Sequence, residues 1–165
     1  LIINSYNLDV NNVSINIAPL VEEILKAFPI ILTSLLYKPT KQQIGEYALS
    51  VGVGFATLEN ISILISSETI SFMYAFLRAI GAGMMHGICT LLIGMVMRNI
   101  VTKKKIIVSG TLAALSVSVI YHSIYNMLVL SEYIIVGVIL PIVTFAIIIL
   151  IDYLYKKNNK IIKEN

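Results

Sequence analysis

The sequence is short of charge. Only 13% of its 165 residues are Asp, Glu, Lys or Arg, about half the share in an ordinary soluble domain. Hydrophobic residues make up 58% of the chain and the mean hydropathy is +0.89. Too few polar groups remain to clothe a water-soluble fold of this size, so most of the chain must be solvated by lipid. Cysteine is nearly absent. Cys89 stands by itself in an apolar run, which excludes an intrachain disulfide and reads as a small buried residue. There is no nucleic-acid motif and no soluble catalytic domain. The net charge of +3 lies in short patches beside apolar runs, where Lys and Arg set membrane orientation instead of recruiting an acidic partner. A signal peptide is also lacking: the first apolar run follows the polar stretch 4–16 and contains Glu22, Glu23 and Lys26. The chain opens on Leu1 and not Met, so it is read as part of a longer or processed protein.

What is present is a set of long apolar runs. A helical span needs about 20 mostly apolar residues, and residues 18–37, 44–65, 70–97, 106–130 and 133–155 each qualify. None alternates like a strand, and only helices or closed barrels satisfy their backbone groups in lipid. The expected fold is all-α, a polytopic transmembrane helix bundle of about five spans. It divides into an extracytoplasmic polar segment (1–17), a helical membrane domain (18–155) and a basic cytoplasmic tail (156–165). Orientation follows from the loops. Lys38 and Lys41, then Arg98 with Lys103, Lys104 and Lys105, then Lys156, Lys157, Lys160 and Lys163 alternate with two loops, at 66–69 and 131–132, that have no Lys or Arg. Basic loops face the cytoplasm, which puts the start of the chain outside and its end inside. Richness in Ile, Lys and Asn points to a prokaryotic cell membrane.

Ionisable groups inside the spans are costly, at about 2.5–3.5 kcal/mol each at mid-membrane, and mark function. The first span carries Glu22, Glu23 and Lys26, the second Glu59 and Asn60, the third Arg78 and His86, the fourth His122 and Asn126. At about 1.5 Å of rise per residue, these residues from four helices all fall in the outer half of the bilayer or near its centre. Scattered accidents would not share a depth. Lys26 can pair with Glu22 or Glu23 one turn away, Arg78 can neutralise another carboxylate, and His122 and Asn126 share a face. Singly, a membrane His or Asn is more often interhelical glue, and Arg78 alone is an even choice between structure and function. The set as a whole points to chemistry.

Peptide hydrolysis needs an activated water, donors for the developing oxyanion and a proton for the leaving amine. Two routes fit. In one, Glu59, His86 and His122 bind Zn²⁺, Glu22 or Glu23 is the base and Asn126 donates to the oxyanion. In the other there is no metal, Glu22 or Glu23 activates water directly, and His86, His122 and Asn126 orient it and hold the oxyanion.

Four runs carry a family resemblance. The stretch A-P-L-V-E-E-I-L-K, residues 18–26, resembles the E-E-x-x-K motif of the PrsW-type intramembrane proteases. The run G-F-A-T-L-E-N, residues 54–60, is similar to their G-F-A-x-x-E-N motif. Arg78 with His86 and Gly94 resembles the third motif, and His122 with Asn126 the fourth, H-x-x-x-N. All four occur in the family's order, over roughly residues 18–130. The resemblance implies a membrane endopeptidase of the superfamily that includes CAAX prenyl endopeptidases and bacteriocin-processing proteins. Some PrsW-type members make the first cut in a membrane-bound anti-sigma factor, so a single-span or membrane-associated protein substrate is expected, with an anti-sigma factor as one candidate. It leaves the metal open, because the family is termed metalloprotease while its CAAX relatives resemble glutamate-dependent enzymes. Two other functions compete. An ion- or proton-coupled transporter also uses intramembrane charge, but shows repeats that this chain lacks. An immunity-type membrane protein on the same scaffold would not need every polar group.

Overall fold

A computed structural model describes residues 10–37, 39–66, 71–100 and 105–164. Among them there are helices and no strand. The chain enters through a short α-helical piece, Val10–Asn12, and a π-helical turn, Val13–Ile17, that run directly into α1, Ala18–Tyr37. Four further helices follow: α2 (Lys41–Ser66), α3 (Phe72–Ile100), α4 (Ile107–Val129) and α5 (Ile134–Glu164). The all-α polytopic bundle expected from the apolar runs is what forms.

Four helices, α2 to α5, are long and apolar enough to cross a membrane. The expected first span folds as the 20-residue helix α1, and its length suffices. Its three charges keep it out of the apolar class, and the bundle takes two of them inside: Glu23 is 0% and Lys26 1% exposed. The inside-outside assignment leans on Lys38, Lys103, Lys104 and the 67–69 stretch, which lie outside the described residues, as do the side chains of Lys41, Lys156, Lys160 and Lys163.

The bundle is built around α3, which packs against each of the other four helices. In α3, 61% of the membrane-length window is buried, against 17% in each of α2, α4 and α5. Lipid supplies no hydrophobic drive between helices, so close contact depends on small side chains and interhelical hydrogen bonds. Both occur here. A Cβ on Gly52 would meet Thr90 Oγ1, the His86 carbonyl oxygen and the Gly87 Cα, and one on Gly94 would lie 2.6 Å from the Ala48 Cβ. These two glycines let α2 and α3 touch backbone to backbone. On the other side, Ser118 Oγ of α4 donates to the Cys89 carbonyl of α3 (3.1 Å), while Cys89 Sγ donates back to the Ser118 carbonyl (3.6 Å).

The α2–α3 contact lies beside the polar cluster, since Gly52 meets the backbone of His86. Gly52→Ala is therefore expected to force the helices apart. The cost is about 1–3 kcal/mol, typical of overpacking, and Glu59 is carried away from His86. Chemical unfolding in detergent and cleavage activity should fall together. An unaltered midpoint would show that the contact gives way without moving the helices.

Candidate active site

Glu22, Glu23 and Lys26 arise from one helical stripe. Spacings of three and four residues return a side chain to the same face, and α1 turns that face into the bundle. Of the two possible partners, Lys26 takes Glu23, with Nζ to Oε1 at 2.5 Å and both side chains wholly buried. Glu23 Oε1 also accepts from His122 Nδ1 of α4 at 2.8 Å. Lys26 Nζ reaches further, to His86 Nδ1 of α3 at 2.6 Å, and lies 4.9 Å from the Phe55 ring centroid of α2. One ammonium thus joins α1 and α3 and faces an aromatic ring, an arrangement suited to a desolvated cation.

The second half of the cluster joins α2 and α3. Arg78 Nη2 donates to Glu59 Oε1 at 2.6 Å, and His86 Nε2 lies 2.8 Å from Glu59 Oε2. Phe55 packs on His86 with ring centroids 5.4 Å apart. The two imidazoles meet edge to face, centroids 4.9 Å apart at 82°. Glu22 is the exception. It makes no hydrogen bond within the cluster; its Oε2, buried and unbonded like Glu23 Oε2, stands 3.8 Å from His122 Nε2.

These contacts fix the proton positions. An ammonium has only protons to give, so His86 Nδ1 accepts from Lys26, and Nε2 carries the hydrogen that goes to Glu59. Glu23 is likewise an acceptor, so His122 donates through Nδ1 and keeps the lone pair of Nε2 turned toward Glu22. The charges do not cancel. Glu23 has Lys26 and Glu59 has Arg78, but Glu22 has no cation of its own among the described residues. A buried carboxylate in excess must be balanced by a proton or a metal.

Glu22, His86 and His122 each offer a ligand atom, and these atoms all lie within 4.8 Å of one another. Glu59 is not in that group, although its oxygens contact Arg78 and His86. The structure therefore brings together two of the three expected zinc ligands, with Glu22 beside them. Asn60 is half-buried with Oδ1 unbonded. Asn126 is half-buried, and its Nδ2 donates 2.8 Å to the carbonyl of Ser14 in the π-helical turn.

A family profile described as PrsW family intramembrane metalloprotease matches residues 6–151. The chain belongs to that family. It is an intramembrane protease and a multi-pass membrane protein, and its substrate is a protein within the membrane. No curated protein and no solved structure matches the chain.

The donor set of this PrsW-family protease fits a metal. His122 holds its proton on Nδ1 against a carboxylate and turns Nε2 toward the prospective ion, the arrangement that orients metal-binding histidines. Glu22 Oε2 makes no hydrogen bond, and two histidines with one glutamate are a catalytic zinc set. His86 fits on one condition: the nitrogen that ligates must first give up Lys26 or Glu59. A groove of about 740 Å³ lies elsewhere, beside Gln42, Glu46, Arg98 and Asp152 at the far end of α3.

Two members of the protease's site escaped the sequence. Phe55 stands inside the G-F-A-T-L-E-N run, yet only the fold shows it against both Lys26 and His86. Ser14 contributes a backbone carbonyl, which no residue type advertises.

Proposed function

We propose that the protein hydrolyses a peptide bond in a single-span or otherwise membrane-associated protein, near the outer leaflet of a prokaryotic cell membrane. The observation that carries this reading is Glu22 Oε2, a buried carboxylate oxygen with no hydrogen bond, set beside the free nitrogen of His122. Glu22 takes the proton of the attacking water and returns it to the leaving amine. Glu23 is a positioning residue: it holds His122 in one tautomer and one orientation. Asn126, one turn beyond His122, donates Nδ2 to the oxyanion. Lys26 and Arg78 keep the remaining carboxylates neutralised so that the ring nitrogens stay directed.

Zn²⁺, held by Glu22, His86 and His122, would lower the pKa of its water and polarise the scissile carbonyl; Glu22 would then serve as a ligand, and its role as base belongs to the site without the ion. A metal-free reading is favoured by one contact, Lys26 Nζ on His86 Nδ1, which fills a nitrogen that a ligand would need. In that reading Glu22 acts as base unaided, and both histidines hold water and oxyanion.

The experiment is cleavage of a single-span reporter by the purified protein in liposomes, with the product mapped by mass spectrometry. A cut near the outer end of the reporter's helix is expected. Absence of any cut across a panel of reporters of differing outer-end sequence, or a cut at the cytoplasmic end, would overturn it.

A further inference from the structure

Pro19 is the second residue of α1 and it disturbs the turn before it. Proline has no N–H, and its ring clashes with the carbonyl four residues earlier, here Ile15. The chain relieves the clash by widening: Val13–Ile17 is a π-helical turn, and the Ala18 N–H bonds to the Val13 carbonyl. That register would send the Ser14 carbonyl to the N–H of residue 19, which proline lacks. Ser14 is left with an orphaned carbonyl, and Asn126 Nδ2 supplies its hydrogen bond at 2.8 Å.

A carbonyl oxygen 2.8 Å from Asn126 stands at the distance expected between an oxyanion donor and the oxygen it serves, about 2.7–3.1 Å. Asn126 lies one turn from His122, which in turn lies beside Glu22. We infer that the Ser14 carbonyl occupies the subsite of the substrate's scissile carbonyl, so that the turn 13–17 is a built-in substrate mimic which the substrate's own backbone must displace. The inference rests on the proposed role of Asn126. It also names the chemistry recognised there: an unpaired backbone carbonyl from an unwound helix end, whatever the side chain. A regular transmembrane helix offers no such group, because each carbonyl inside it is already paired. Selection at this subsite is therefore for substrates whose helix is broken near its outer end, by proline or glycine.

Pro19→Ala tests it. An N–H at position 19 lets the helix return to regular register, so the Ser14 carbonyl is paired within the helix and Asn126 is released. Cleavage of the single-span reporter should rise by about fivefold in kcat/KM, the worth of one ordinary hydrogen bond, mainly through a lower KM. In parallel, nitroxide labels on Asn16 and Met127, both exposed, should move apart by several Å when a peptidyl aldehyde carrying the reporter's cut sequence is added. Unchanged or reduced kcat/KM in a stably folded Pro19→Ala protein, with labels that do not move, would overturn the inference. Should Pro19→Ala fail to fold, the label distance alone decides. Full cleavage by Asn126→Ala would instead remove the reading on which the inference stands.

Discussion

Glu22→Gln is expected to lower cleavage by about a thousandfold, within the range for loss of a general base, while leaving the protein as stable as before or slightly more so. Both halves follow from the same geometry. Glu22 is half-buried and its Oε2 makes no hydrogen bond, so an amide there loses no partner. The amide also removes the one carboxylate of the cluster that lacks a cation among the described residues, since Lys26 and Arg78 serve Glu23 and Glu59. A group that contributes nothing to folding and everything to turnover is the signature sought. Initial rates on the single-span reporter, beside an unfolding curve in detergent, measure both. Residual activity above a tenth of wild type would remove Glu22 from the chemistry.

Lys26→Met has the opposite profile. Lys26 is 1% exposed and holds Glu23 at 2.5 Å. Its loss leaves an ionised carboxylate in the bundle without its cation, still held by His122. Removing one member of a buried pair costs about 3–5 kcal/mol, chiefly the burden of the stranded charge. For a chain of this size the melting temperature should fall by on the order of 10 °C. The double variant, Glu23→Gln with Lys26→Met, has no stranded charge and should recover most of that loss, because neutral side chains of similar volume often replace a buried ion pair without penalty. If the double variant is as unstable as the single one, the pair is not what Lys26 contributes. Activity should stay low in the double variant, where no carboxylate at position 23 orients His122.

Much of this was legible beforehand because lipid makes polar residues conspicuous. Glu22, Glu23, Lys26, Glu59, Arg78, His86, His122 and Asn126 stood out by cost alone, and helical rise placed them at one depth. Which carboxylate met which cation was not legible. Spacing allowed Lys26 either Glu22 or Glu23, and only the pitch of α1 against α3 and α4 decided for Glu23. Nor could spacing tell how Glu59 and Glu22 sit against the two histidines: Glu59 contacts His86 and Arg78, while Glu22 stands beside His122. The turn before Pro19 was least legible of all. The polar composition of 1–17 reads as an extracytoplasmic segment and says nothing of its conformation; from Val10 the chain is helical and runs unbroken into α1. Its contribution is a backbone carbonyl, to which composition is blind.

On the metal-bearing reading proposed above, Glu22, His86 and His122 together hold the ion of the hydrolytic site. Elemental analysis of freshly purified, proteolytically active protein decides this, with Glu22→Ala and His122→Ala measured alongside. About one zinc per wild-type chain is expected, as a catalytic site of this donor type holds, and its loss in both variants. Full cleavage by wild-type protein that contains no metal would contradict it and leave Glu22 to activate water unaided.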